Sequence, residues 1–309
     1  MPGAATTYSF PYHQDREIWK IAFNEYMRQK LDYVGFAKVG DAPKGSGGGY
    51  TEAQLSPLGE LQAKAEEDGI VFTTPVEGNK KTVTPTVYAL GFRQSLENTE
   101  DDIFGHFKQK VPEELGKSGA YKPEVMFWQM FNYPTATTYH SGIDSLAMLS
   151  DSHKTLKSEE TIDNLGAAAV LSETTLQAGF EYFDDVVDDQ GRPIRLTPKY
   201  LVTGNSLRFD AEKLLRNFGS IGTPNNDLNT VNPSNGIVNP YTIIRTPQIT
   251  STTSYFLVAE EHDFRLWWLR KMNMAAWDDP NTTSRLYAVN ERFFVFFMDY
   301  RPVWGSTGA

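Results

Sequence analysis

The run Asn290 to Gly305, NERFFVFFMDYRPVWG, sets the tightest limit on how this chain can fold. Phe293 to Met298 follow one another without a polar residue. In extended backbone, successive side chains point to opposite faces, so both faces of this stretch require apolar cover. That places it inside a sheet, with material layered above and below. Ahead of it, the last third of the chain reads as helix, strand, helix, asparagine-rich loop and aromatic strands, with no catalytic motif among them. This order suits a building block that fits against copies of itself better than an enzyme.

A chain of 309 residues is long enough for one large lobe or two interleaved ones, and its 19 Phe, 15 Tyr and 6 Trp exclude a largely disordered protein. The formal net charge of -10 argues against a surface that grips nucleic acid or anionic membrane through its overall charge. Cysteine is absent, which removes disulfides and thiolate metal sites and makes a cytosolic origin the simplest expectation. Neither a signal peptide nor an apolar run of bilayer-spanning length is present, so no membrane association is expected.

Apolar residues at Ile18, Ile21, Ala22, Met27 and Leu31 predict a helix within Gln14 to Leu31, behind a polar arm. Gly40 to Gly49 is too glycine-rich to sit in a stable element and is expected to be a flexible excursion. Ile70 to Thr74 and Thr82 to Phe92 read as strands, with Glu77 to Lys81 as the polar tip between them. Pro75 and Pro85 confine them to an edge or a projecting hairpin, which needs a neighbour for support. Thr99 to Asp102 reads as a capped helix start, with Ile103, Phe104, Phe107 and Val111 on one face and Pro112 kinking or ending the helix. Helical propensity resumes from Pro123 to Phe131. Ser172 caps the clearest helix, with Leu176, Phe180, Phe183 and Val187 at helical spacing and a stop at Gly191 and Pro193. Strand Tyr200 to Val202 and a helix with Leu207, Ala211, Leu214 and Leu215 on one face follow. Next come a long loop from Gly219 to Pro240 and strands near Tyr241 to Arg245, Tyr255 to Ala259 and Phe264 to Arg270.

Chemical motifs fail on inspection. Gly40 to Ser46 has P-loop glycine spacing, but Ser46 stands where the phosphate-contacting lysine belongs, and no helix follows. Gly204 to Arg208 lies at a strand-to-helix turn like a nucleophile elbow, but Arg208 replaces the second glycine, and Ser206 reads better as a helix cap. The five histidines form no i, i+4 pair; His140, Asp144, Asp151 and His153 would make a metal set only if their loop folds back on itself. Asp184, Asp185, Asp188 and Asp189 gather at a helix C-terminus against its dipole and read as a solvated end or a subunit contact. The aromatic segments have few interleaved basic residues, so packing is a better reading than base stacking.

Taken in order, several short patterns resemble the HK97-like major capsid proteins of tailed bacteriophages, in particular the Mu-like major head subunit branch. They are Thr99 to Gly105, Gly142 to Leu146 with Ser152 and His153, Asn164 Leu165, Leu171 Ser172, Asp189 to Ile194, Pro198 to Val202, Ala211 to Leu215 and Tyr300 to Pro302. Ser145 departs from the family's usual glycine. The resemblance implies an α+β fold with an N-terminal arm (1–31), an extended loop lying over a neighbouring subunit (32–85) and a peripheral domain opened by a long spine helix (86–165). It further implies an axial domain with a central sheet flanked by helices (166–259) and strands returning through the peripheral domain (260–309). The asparagine-rich loop becomes the axial tip.

The implied function is structural. A major capsid protein with no active site and no cofactor assembles as pentamers and hexamers into an icosahedral shell around double-stranded DNA, without sequence-specific binding. Portal and scaffolding proteins, and in some members a decoration protein, are the implied partners; the implied location is the virion, after assembly in the host cytoplasm. Some members weld subunits by an isopeptide bond, and Lys80 or Lys81 with Asn281 occupy the loosely corresponding regions. An encapsulin-like shell enclosing protein cargo shares the fold and is the alternative. A hydrolase or metal enzyme built on His140 and His153 is the rival from another class, and a small monodisperse species with metal- or substrate-dependent activity would identify it.

Overall fold

A computed structural model describes residues 12–95, 97–98, 101–102, 105–156, 161–216, 231–232, 241–279, 281–282 and 284–308. Helix α1 (Tyr12–Arg28) packs on the long helix α2 (Val111–Asn132). The approach is close: a Cβ at Gly116 would stand 2.2 Å from the Ala22 carbonyl oxygen. Pro112 does not end the helix as expected; it opens α2, where a missing N–H costs nothing because first-turn donors have no intrahelical acceptor. One wide helical turn, His106–Lys110, leads in, and Asp102 accepts the His106 N–H at 2.8 Å. Of the expected start, Thr99, Glu100, Ile103 and Phe104 lie outside the described residues.

The first sheet has the order β1-β10-β11-β4, formed by Lys38–Asp41, Arg265–Asp279, Ser284–Phe296 and Thr86–Ser95. Strand β11 is internal, as its sequence required. Phe293, Val295 and, just beyond the strand, Phe297 face a core with Phe127, Phe131 and Phe264, while Phe294, Phe296 and Met298 pack with Tyr50, Val83 and Trp267 on the other side. Strand β4 lies at the sheet edge, where Pro85, just before it, is tolerated.

Two expectations are overturned here. Gly40 and Asp41 belong to β1, which runs parallel to β10; Gly40 leaves room for the Trp267 ring, 3.6 Å from where a Cβ would stand. In the projecting hairpin, Glu77 to Lys81 is not a tip. It forms most of β3 (Glu77–Val83), paired antiparallel with β2 (Tyr50–Leu55), whereas Ile70 to Thr74 is not a strand but lies in the segment 56–76 that joins them.

The second sheet has the order β12-β9-β7-β8, formed by Val303–Ser306, Tyr255–Ala259, Pro198–Gly204 and Thr242–Thr246. A two-residue ladder pairs β5 (His153–Lys154) with β6 (Thr161–Ile162). Helices α3 (Glu173–Asp185) and α4 (Arg208–Arg216) supply Leu176, Phe183, Ala211, Leu214 and Leu215 to the core against the second sheet. Ser172 caps α3 reciprocally with Thr175. The single apolar run 290–305 is thus two strands in two sheets, because the chain turns at Tyr300–Pro302, where the Val303 N–H donates to the Tyr300 carbonyl at 3.2 Å. Of the asparagine-rich loop, only Val231 and Asn232 are described, both buried. Among the described residues, no helix is long and apolar enough to cross a membrane.

Candidate functional site

The hairpin β2–β3 carries an extended segment, 56–76, whose apolar side chains find no shelter on their own chain. Leu61 and Phe72 are 103% and 90% exposed, and Leu58, Ile70, Val71 and Val76 are exposed beside them. Six large apolar side chains within 21 residues form a surface that ordinary soluble chains cover.

The root of this hairpin is fixed firmly. Gln54 of β2 donates its amide to both carboxylate oxygens of Asp189 at 3.1 Å, and Gln190 donates to the Pro57 carbonyl at 2.7 Å. Asp189 is buried and ion-paired with the buried Arg301. Asp188 caps its own loop by pairing with Arg192 at 2.7 Å. The reading of these acids as a solvated helix end or a subunit contact is therefore corrected for Asp188 and Asp189. The turn at Tyr300–Pro302 and the loop at Asp189–Pro193, over a hundred residues apart, are two halves of one buried joint. Only opposite charge in two short patterns hinted at it.

Lys81 closes the joint from β3. Its ammonium donates to the Ser141 carbonyl and, at 3.3 Å, to that of Phe297, and it lies 5.3 Å from the centre of the Phe297 ring. Burial lowers its pKa to about 8, against a smaller raising effect of Asp144. Lys80 points away and pairs with Glu77 at 2.9 Å on the exposed side. Asn281 is exposed in the β10–β11 turn, its N–H donating to Asp279 at 3.0 Å. Of the lysines considered for a covalent bond, Lys81 is engaged within its own chain and Lys80 is not buried.

The four candidate metal ligands converge only in part. His153 and Asp144 meet at 2.5 Å, with the imidazole stacked at 3.7 Å on Tyr300. Asp151 instead accepts from Ser152, and His140 lies near Lys81, its pKa lowered to about 4 by burial and that neighbouring charge. No group of three potential ligands gathers among the described residues. Ser206 sits in the helical turn Asn205–Leu207 that leads into α4.

Glu291 is the residue that sequence reasoning missed. It lies on β11 with 2% exposure, and neither carboxylate oxygen has a hydrogen-bond partner. Burial raises its pKa to about 8. The signal was present: in a period-two strand, Glu291 shares a face with Val289, Phe293 and Val295, the face that packs on α2. It lines a cavity of about 210 Å³ bounded by Tyr88, Leu90, Leu115 and Val289, with Ser118 and Lys122 also at its wall.

A family model described as phage capsid protein matches residues 78–303. The match is to the family and not to the Mu-like branch within it. No curated protein matches the chain. Among solved structures, the capsid of Myoviridae phage XM1 is similar at 10% identity and a TM-score of 0.56, covering 91% of this chain and 92% of that one. The bacteriophage PhiM1 mature capsid is similar at 9% identity and 0.56, covering 99% and 90%. A Gordonia phage Cozz structure is similar at 12% identity and 0.54, covering 100% and 91%.

Proposed function

The chain belongs to the phage capsid protein family, with the HK97-like α+β fold of phage capsids, and from that premise we propose how it works as a major head subunit. Copies assemble as pentamers and hexamers that close into an icosahedral shell around double-stranded DNA, and the protein's work is structural rather than catalytic. Residues 1–31 serve as the arm, 32–85 as the extended loop, 86–165 and most of 260–309 as the peripheral domain, and 166–259 as the axial domain. Strand β12 of the last segment completes the axial sheet. Portal and scaffolding proteins are the expected partners, the Mu-like branch the expected lineage, and the virion, assembled in the host cytoplasm, the expected location.

The observation that carries this reading is the rigidly rooted hairpin with an uncovered apolar end. A fold that spends a buried ion pair and a buried lysine on holding such a segment outward is built for a neighbour to cover it. Electron microscopy of the expressed protein should show closed shells, and nuclease-protected DNA inside purified particles distinguishes a phage head from a compartment holding protein cargo. Replacing Leu61 and Phe72 together by Ser should leave the unassembled chain within about 0.5 kcal/mol of the parent, since both side chains are exposed, yet abolish shells. Shells of normal yield from that variant would refute the reading.

If subunits are welded covalently, Lys80 with Asn281 is the pair, because the Lys81 amine is held inside its own chain. Denaturing gels of mature particles are expected to show ladders that vanish with Lys80→Arg and persist with Lys81→Arg. A single monomer band from the parent protein disposes of the bond.

A further inference from the structure

The Glu291 cavity is an incomplete site. A carboxyl group that is almost fully buried, with both oxygens unpartnered, needs a donor, and the space beside it is unfilled. Gly119 keeps that space open: a Cβ there would stand 3.1 Å from the Glu291 Oε1. The walls, Tyr88, Leu90, Leu115 and Val289, suit an aliphatic stem, and the acid at the wall suits an ammonium group. The mouth adjoins the unpaired edge of β4, where Val87 and Leu90 are exposed.

Resting on the reading that copies overlap through the hairpin, we propose that this cavity receives the side chain of Lys64 from a second copy, whose ammonium forms a non-covalent ion pair with Glu291. Lys64 is the only cation in the segment 56–76, and it is exposed among the uncovered apolar residues. Charge complementarity runs in both directions. The acids around Lys64, namely Glu60, Glu66, Glu67 and Asp68, find Lys122 at the cavity wall, where its ammonium rests 4.7 Å from the Tyr88 ring centre. Reach is sufficient, since about ten residues out and ten back span roughly 33 Å. The apolar residues flanking Lys64 then cover Val87 and Leu90, which removes two exposed surfaces with one contact.

The chain has no cysteine, so an engineered pair reports without background. Assembled particles of the full chain carrying Lys64→Cys and Ser118→Cys, mildly oxidised, should run as disulfide-linked oligomers on non-reducing gels. The unassembled protein should run as monomer, as should particles pairing Lys64→Cys with Lys108→Cys. Lys64→Met and Glu291→Gln should each lower the particle melting temperature, and the double variant should lower it no further than the larger single effect. Normal particles without the disulfide, or fully additive losses, overturn the proposal while leaving the capsid reading intact. Failure of the parent chain to form shells overturns that reading instead. If 1,4-diaminobutane raises the melting temperature of the unassembled parent but not of Glu291→Gln, and no disulfide forms, the site takes a free diamine and the assignment to Lys64 is wrong.

Discussion

Glu291→Gln should stabilise the unassembled chain at pH 9 and leave it nearly unchanged at pH 4. Burial raises the folded pKa of Glu291 from the usual carboxylate range to about 8. Between the unfolded value and pH 8, the unfolded chain releases a proton that the folded chain keeps, so stability falls as pH rises through this window and levels off above it. At about 1.36 kcal/mol per unit, the full cost reaches on the order of 5 kcal/mol as an upper bound. Glutamine has the same shape and no ionisation, so the difference between variant and parent should grow from near zero to several kcal/mol across that window. Other groups keep the same slope in both proteins and cancel. These include Glu124, raised by its own burial, and Tyr26 and Tyr33, both raised by burial and by the proximity of Glu291. Urea denaturation at several pH values measures the difference, and a flat one from pH 4 to 9 would mean that the carboxyl is hydrated or paired.

Arg301→Ala should cost about 3–5 kcal/mol, the usual consequence of leaving a buried charge without its partner. The charge left behind is Asp189, whose side chain is 7% exposed. Because Asp189 also accepts from Gln54 and from the Leu156 N–H, the loss should loosen the hairpin root as well as the turn at Tyr300–Pro302. Limited proteolysis should then cut within β2 or β3 at protease levels that spare those strands in the parent. Arg301→Lys should fall between the two, since one ammonium cannot copy the guanidinium that reaches both Asp189 and Asp299. A change below about 1 kcal/mol in Arg301→Ala would show that solvent reaches the joint.

Local signals in the chain were reliable where one short-range interaction decides the outcome. The Ser172 cap, the apolar spacing of α3 and α4 and the two-faced strand around Phe293 to Phe297 are each settled by neighbours within a few residues. Pro112 was ambiguous because proline is compatible with a helix start and incompatible with a helix interior, and its own neighbours do not say which applies. The periodic burial of Leu115, Ala120, Phe127 and Phe131 downstream resolves it in favour of a start. Glu77 to Lys81 looked like a tip because it is polar. It is a strand because β2 supplies its hydrogen-bond partners and two distant carbonyls receive the Lys81 ammonium.

The amino-acid order by itself determined the elements, the need for cover on both faces of β11 and, through an ordered set of patterns, the resemblance to capsid subunits. These are properties of composition and period, which act over one strand or one helical turn. Only the tertiary structure decided that the closing run divides between two sheets, that Asp189 and Arg301 share one joint, and that Glu291 faces an unfilled cavity. Those depend on which distant segments meet, and burial and ion pairing gain their strength only where the assembled fold has excluded water.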